Sequence, residues 1–140
     1  MTCRKPSLGS AEPLTSPESR WGPLAVIPPQ DGTDLYGATG TLLITDRCVY
    51  LVAKGEKPLL FWPADRTRWN EEARGILFSN FDGTVVTASD GDAVAVGGGG
   101  DSEAESGISG PVWASGMIWV APPDPSCSAQ LRFGVGVLER

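Results

Sequence analysis

Residues 76–96 read ILFSNFDGTVVTASDGDAVAV, in which two Asp-Gly pairs separate three short apolar and β-branched runs. Asp-Gly is a strong tight-turn signal, because both residue types tolerate the positive backbone angles that hairpin turns require. The runs beside the turns, residues 76–78, 84–87 and 93–96, each have the length of a short strand. This stretch therefore predicts consecutive strands joined by tight turns, and it is the main reason to predict an all-β fold.

Strand patterns continue on both sides of this stretch. Residues 40–45, 48–53 and 58–63 are apolar runs with short polar connections, which predicts an antiparallel meander. Residues 113–120 and 131–138 are predicted to be the closing strands. In the last of these, glycine recurs at alternate positions, which lets strands cross closely as small barrels require.

No segment has a convincing helical pattern. Residues 64–74 are short, charged and only weakly amphipathic, so we predict a loop or a single turn there. Many short strands without crossover helices predict a small closed or partly open antiparallel barrel, OB-like, with about seven or eight strands. This single domain is predicted to span residues 24–140, behind a flexible Pro/Ser-rich tail at residues 1–23.

The charge distribution restricts the class of partner. The net charge is −6, and no Lys or Arg occurs between Arg74 and Arg132, although that stretch contains seven acidic residues. Such a surface repels a phosphate backbone or an anionic membrane, so we expect no nucleic-acid partner. No apolar run approaches the length of a transmembrane helix. The partner is then a protein or a small molecule, and the sequence specifies neither its identity nor the oligomeric state.

Catalytic and cofactor chemistry have little support in the sequence. The chain has no histidine, which removes the usual general base and the commonest metal ligand. The glycines at 97–100 are followed by acidic residues instead of the lysine that a phosphate loop needs, so we predict a functional or disordered loop over 97–110. Asp90, Asp92 and Asp101 are weak calcium candidates, because they offer oxygen ligands without the spacing of an EF-hand. We expect a protein that is not an enzyme and binds no cofactor.

The tryptophans suggest two further alternatives. Tryptophan in a small β domain usually fills the core, and Trp62 on an apolar run is predicted to do so. Trp69 and Trp113 lie in polar or loop-edge settings and are candidates for an exposed ligand-binding platform. A carboxylate-based hydrolase around Asp65 and Glu72 is a further hypothesis, since two carboxyl groups beside tryptophan are typical of glycosidase sites.

The three cysteines have different settings. Cys48 opens an apolar run and Cys127 closes a Pro-rich loop, which favours a disulfide over two reduced, buried thiols of a cytosolic protein. The bridge would close a loop of 79 residues, worth about 4 kcal/mol in the chain-entropy model. A disulfide indicates an oxidising compartment. Cys3 is either a free thiol or a lipid-modified terminus.

The residues ahead of Cys3 bear on the compartment. No apolar signal segment precedes it, so we expect an extracytoplasmic protein, secreted or lipid-anchored, if the true start lies upstream, and a cytoplasmic one otherwise.

Several short segments between residues 40 and 140 form a loose pattern without a catalytic motif: Gly40-Thr41-Leu42, Cys48-Val49-Tyr50-Leu51, Leu59-Leu60-Phe61-Trp62-Pro63, Trp69, Asp82-Gly83-Thr84, Gly91-Asp92, Val96-Gly97-Gly98-Gly99 and Cys127. In these segments the chain resembles an uncharacterised family of small bacterial β-barrel domains, many of them secreted or lipoprotein-like. The resemblance implies an OB-like barrel and a Cys48–Cys127 pair, and it implies no activity or ligand.

These observations lead to one expectation and one main alternative. We expect a non-enzymatic interaction or structural module of the bacterial cell envelope. The alternative is a cytosolic barrel that binds a small ligand or a carbohydrate on a tryptophan platform.

Overall fold

A computed structural model describes residues 20–30 and 36–140 of the protein, so most of the predicted tail, with Cys3, lies outside the described residues. The described part of the chain forms nine strands and two short helices. The strands are β1 (Ala25–Ile27), β2 (Tyr36–Ile44), β3 (Val49–Val52), β4 (Leu59–Pro63), β5 (Thr67–Asn70), β6 (Gly75–Ser79), β7 (Val85–Ser89), β8 (Ala93–Ser102) and β9 (Leu131–Glu139). The helices are α1 (Glu103–Ser106) and α2 (Gly110–Ser115).

Five strands close into a barrel in the order β4-β3-β2-β8-β9, and β9 pairs back with β4. The strands β2, β3 and β4 form a meander, and β8 returns after a long connection to lie beside β2, which is a Greek-key arrangement. A five-stranded Greek-key barrel is OB-like, as predicted. Two details differ from the prediction. The closing β4–β9 pair is parallel, so the barrel is mixed, and the described chain has nine strands instead of seven or eight.

The core fills the barrel interior with side chains from alternate strand positions. Leu42, Leu60, Trp62 and Leu138 are completely buried, which confirms the core position predicted for Trp62. Trp21 is also buried, although it precedes the domain boundary predicted at residue 24.

A short strand outside the barrel was not predicted. β1 pairs in parallel with the second half of β4, and Val26 also bridges to Ala121. β1 has only three residues, and prolines lie close on both sides of it, so its sequence contains no period of alternation to recognise.

The strands β5, β6 and β7 form a separate antiparallel sheet, inserted between β4 and β8. The first Asp-Gly turn joins β6 to β7 as a hairpin, as predicted. The second, Asp90-Gly91, connects the small sheet to the barrel, so β7 and β8 are not partners. β5 shows that the loop or single turn predicted at residues 64–74 was wrong, because Thr67 and Trp69 face inward while Arg68 and Asn70 stay exposed.

The glycine run does not form the loop predicted at residues 97–110. Residues 97–100 continue β8 and pair with β9. A β-carbon on Gly98 would collide with the carbonyl oxygen of Gly134, and one on Gly100 would collide with that of Arg132. The missing side chains therefore let the two backbones cross in close contact, and a bulge between Gly97 and Gly98 accommodates the bend. We call this region the glycine crossing.

The closing strand predicted at residues 113–120 is also wrong, because this stretch contains the second half of α2 and the loop after it. Ser109 caps the helix by accepting a hydrogen bond from the Val112 N–H, and Pro111 lies in the first turn. Serine at the cap and proline in the first turn are strong helix-start signals, and here they outweigh the β-leaning composition that follows.

Candidate functional site: an uncharged lobe over the barrel

The connection from β8 to β9 contains a long segment without charge. We define the uncharged lobe as residues 106–123, since no charged residue occurs between Glu105 and Asp124. Large apolar side chains on it are exposed to solvent, with Ile118 79% and Val112 61% accessible, and Ile108 and Val120 also exposed. Isolated exposed apolar residues are ordinary, whereas four within one uncharged segment are unusual, and this makes the lobe the candidate functional site.

An aromatic cluster attaches the lobe to the outside of the barrel. The ring centroid of Trp113 lies 5.4 Å from that of Phe61 on β4 and 5.4 Å from that of Trp119. Phe61 in turn packs over Gly134 of β9, where a β-carbon would come within 2.6 Å of the ring. The Trp119 Nε1–H donates to the Ala114 carbonyl, which closes the loop back onto α2. Tilted and edge-to-face ring contacts such as these are favourable beyond their burial, so they hold the lobe against β4.

Arg132 joins the lobe to the glycine crossing. Its side chain is only 1% exposed, and its Nε lies 2.6 Å from Oδ1 of Asp101 on β8. The two remaining nitrogens donate to the Ala129 carbonyl at 2.9 Å and the Ser106 hydroxyl at 3.0 Å. The guanidinium also lies over the Trp113 ring, 5.3 Å from its centroid. One buried cation thus connects both barrel strands with the beginning of the lobe and with its central aromatic residue.

The other end of the lobe is fixed by the predicted disulfide. The structure contains the Cys48–Cys127 bridge, with a Cα–Cα distance of 5.7 Å. Next to it, Asp124 forms a 3.0 Å ion pair with Arg47 and accepts hydrogen bonds from the hydroxyl and N–H of Ser126. The Ser126 hydroxyl, followed by its N–H and by Arg47, lowers the pKa of Asp124 to about 2. The Ser128 N–H donates to the Tyr50 hydroxyl, so the loop after the lobe is held against β3.

The two candidate platform tryptophans lie in different places. Trp69 is half-buried on β5, packs closely over Gly22 and donates from Nε1 to Glu71 at 2.9 Å. Trp113 belongs to the lobe, and Arg132 covers one face of its ring. Because they pack in separate hydrophobic clusters, they do not form one platform.

The calcium candidates already have protein partners. Asp90 accepts the Ile44 N–H at 2.7 Å, Asp92 accepts the Ser89 N–H at 2.8 Å, and Asp101 pairs with Arg132. No group of three or more metal-ligating side chains occurs in the part of the chain that the structure describes.

The carboxyl groups of the hydrolase hypothesis are separated along the chain and in the sheet. Asp65 lies in the turn before β5 and Glu72 in the turn after it, so a whole strand stands between them.

The sequence contains a signal for the lobe, its long uncharged run, which the strand predicted at residues 113–120 led us to overlook. Eighteen consecutive positions without charge, rich in serine, glycine and large apolar residues, distinguish residues 106–123 from the rest of an otherwise charged surface. The individual exposures could not be anticipated, because they depend on the helix cap and on the anchoring of Trp113.

Comparison with known proteins found no match to this chain among family models, curated proteins or solved structures. Within residues 20–30 and 36–140, no helix is both long and apolar enough to cross a membrane.

Proposed function

We propose that this protein is a non-enzymatic interaction module of the bacterial cell envelope, and that the uncharged lobe docks onto an apolar face of a partner protein. The observation that carries the proposal is the exposure of Ile118 and Val112 on a segment without charge. The segment is anchored at both ends, by Arg132 and by the disulfide. A preorganised apolar surface loses little conformational entropy on binding, which favours an interface.

The charges that flank the lobe and the packing of its tryptophan favour a protein as the partner, in preference to a membrane or a sugar. Glu103 and Glu105 precede the lobe and Asp124 follows it, and these carboxylates disfavour an anionic lipid surface. A sugar needs an open aromatic face, whereas Arg132 occupies one face of Trp113. The exposed groups are aliphatic, and aliphatic side chains bind best to complementary apolar protein surface.

The compartment is tested by the redox state of the native protein. A disulfide between Cys48 and Cys127 supports an oxidising compartment, where such bridges persist. Native protein should be alkylated at neither cysteine until it has been reduced, as measured by mass spectrometry. Free thiols at both positions in freshly isolated protein would remove the support for export.

The docking surface is tested by site-specific photo-crosslinking in the native host. We expect a benzophenone side chain at position 118 to yield a discrete crosslinked species. One at position 52 should not, since Val52 is 40% exposed on β3 and is not part of the lobe. With the partner purified, Val112→Asp should weaken binding at least about tenfold, because a buried aliphatic contact is lost. Val52→Asp is the matched control and should leave affinity unchanged.

Three results would count against the proposal that the lobe docks onto a partner protein. The first is equal crosslinking from positions 118 and 52, and the second is a Val112→Asp variant that binds with full affinity. In the third, the crosslinked species proves to be a second copy of the same chain, which would replace the partner protein with self-association.

A further inference from the structure

We propose that the open edge of β7 is a second docking site, independent of the lobe, and that it binds an extended basic peptide segment as an added strand. The site is a groove of about 980 Å³ between the β6–β7 hairpin and the end of β9. We call it the β7 groove and define it by residues 80–87 on one side and residues 92–93 and 137–140 on the other. Hydrogen-bond geometry, exposed apolar side chains and charge support this groove as a binding site.

The pairing of the small sheet shows which backbone groups face the groove. The Ser79 N–H donates to the Arg66 carbonyl, so the backbone groups of Ser79 point toward β5. The backbone groups of the preceding residue, Phe78, therefore point toward β7, where Phe78 lies opposite Val86. Hydrogen-bonding direction alternates along a strand, so Val86 and Ala88 face β6, while Val85 and Thr87 face the groove. The Thr87 carbonyl accordingly accepts a hydrogen bond from Arg140 Nη1 at 2.9 Å. Among the described residues, the Thr87 N–H and both backbone groups of Val85 have no partner on this side.

Unpaired strand edges recruit other strands unless they are blocked. Natural edges are protected by bulges, prolines or inward charges. Here the edge is occupied at two places, at the Thr87 carbonyl by Arg140 and at the Ser89 N–H by Asp92, which leaves the Val85 end open. Phe81 and Val85 next to it are 60% and 55% exposed, so an added strand would find apolar contacts beside its backbone partners. This combination is typical of sites that bind peptides by strand addition.

The charge of the groove selects the occupant. Asp82, Asp92 and Glu139 line it. The opposing cations are Arg140, which lies 3.8 Å from Asp92, and Arg66, whose guanidinium lies over the Phe81 ring. Hydrogen bonds from the hydroxyl and N–H of Thr84 lower the pKa of Asp82, which keeps this carboxylate ionised. The excess of carboxylates favours a basic segment and disfavours edge-to-edge pairing with a second copy, which would bring the same carboxylates together.

The test uses three synthetic heptapeptides with the purified protein. One alternates lysine and valine, the second replaces every lysine with glutamate, and the third keeps lysine but carries N-methyl groups on the valines. We expect only the first to shift and protect the amide resonances of Val85 and Thr87 in NMR spectra. Its affinity should exceed that of the other two at least about tenfold, because they lack either the charge or the backbone donors.

A pair of variants separates strand addition from general attraction. Val85→Pro removes an N–H that faces the groove and leaves the β6–β7 hydrogen bonds intact, and proline is tolerated at such edge positions. It should weaken binding of the lysine–valine peptide at least about tenfold. Val85→Ile keeps both the donor and the apolar side chain and should bind like the wild type. The lobe variant Ile118→Asp should also bind this peptide normally.

The proposal is overturned if the lysine–valine peptide does not bind, or if all three peptides bind equally. It is also overturned if the shifted resonances map outside the β7 groove. Protein that elutes as a dimer and loses that state in Val85→Pro would assign the edge to a second copy instead.

Discussion

The glycine crossing and the uncharged lobe are close neighbours in sequence, and both lack charge through their central residues, yet they pack in opposite ways. At the crossing, side chains are missing and backbone meets backbone between Gly98 and Gly134. On the lobe, large side chains are abundant and Ile118 points into solvent. The contrast teaches that closure of the barrel and display of an apolar surface are assigned to separate parts of the β8–β9 region. Changes in the crossing should affect folding, and changes on the lobe should affect binding.

The largest expected effect on stability comes from removing the disulfide that fixes the second end of the lobe. Replacing both Cys48 and Cys127 with serine should lower the free energy of unfolding by up to about 4 kcal/mol, because the unfolded chain regains the entropy of a long closed loop. Urea denaturation followed by tryptophan fluorescence measures this loss. Wild-type protein denatured in the presence of a reductant is the matched control and should lose the same stability. A double variant as stable as the wild type would mean that the bridge adds nothing to the fold.

A substitution within the glycine crossing should destabilise the barrel without changing any residue of the lobe. Gly100→Ala should destabilise the protein by about 3 kcal/mol, since its β-carbon meets backbone that cannot move aside. Gly37→Ala on β2 is the matched control, because its β-carbon would have its nearest contact at 3.8 Å. Thermal unfolding should therefore separate the two alanine variants clearly. Equal stabilities would show that the strands do not need glycine in order to cross.

Removing the link between the two regions should have an intermediate effect. Arg132→Met keeps most of the side-chain volume but loses the ion pair with Asp101 and the hydrogen bond to Ala129 O, at a cost of about 2 kcal/mol. The fluorescence of Trp113 should change, because the cation leaves its ring face. If stability falls while tryptophan emission stays the same, the arginine supports only the crossing and does not position the lobe.

The smallest effect concerns pH. The pKa of Asp124 is depressed to about 2, so its contacts stabilise the fold fully above the ordinary carboxyl pKa near 4. That contribution is lost as the pH falls from about 4 through about 2. Asp124→Asn should therefore flatten the decline of stability in this window, as followed by denaturation at a series of pH values. Asp46→Asn, in the neighbouring turn, serves as the control. Identical acid profiles for wild type and Asp124→Asn would contradict the assignment.

Strand existence was more predictable from the sequence than strand pairing. The apolar run around Trp62 and the alternation of residues 131–138 predicted β4 and β9, because burial on one face leaves a direct trace in composition. Nothing local in either strand shows that they pair in parallel, since this depends on how the whole chain between them is arranged. The Asp90-Gly91 turn was recognised, but its role of joining two sheets was not, because a turn motif specifies only its own backbone.

The errors in the candidate site have a similar origin. Glycine favours loops on average, and at residues 97–100 that average was outweighed by a close approach of β9, which comes thirty residues later. The composition of residues 113–120 favours strand, and the Ser109 cap with Pro111 started a helix instead. Trp113 was identified as a functional candidate, but its contact with Arg132 was not, because the two meet only after the barrel has closed.

The position of β9 in the chain has a consequence for biogenesis. It follows every other barrel strand, and it must insert between β8 and β4. The facing edge of β8 and the first half of that of β4 stay unpaired until then, because β1 pairs only with the second half of β4. Pairing that spans such long sequence separations is slow. A nascent chain that lacks residues 131–139 therefore has no closed state to reach. Closure of the barrel is therefore the last pairing that the chain order allows, and it waits for residues 131–139.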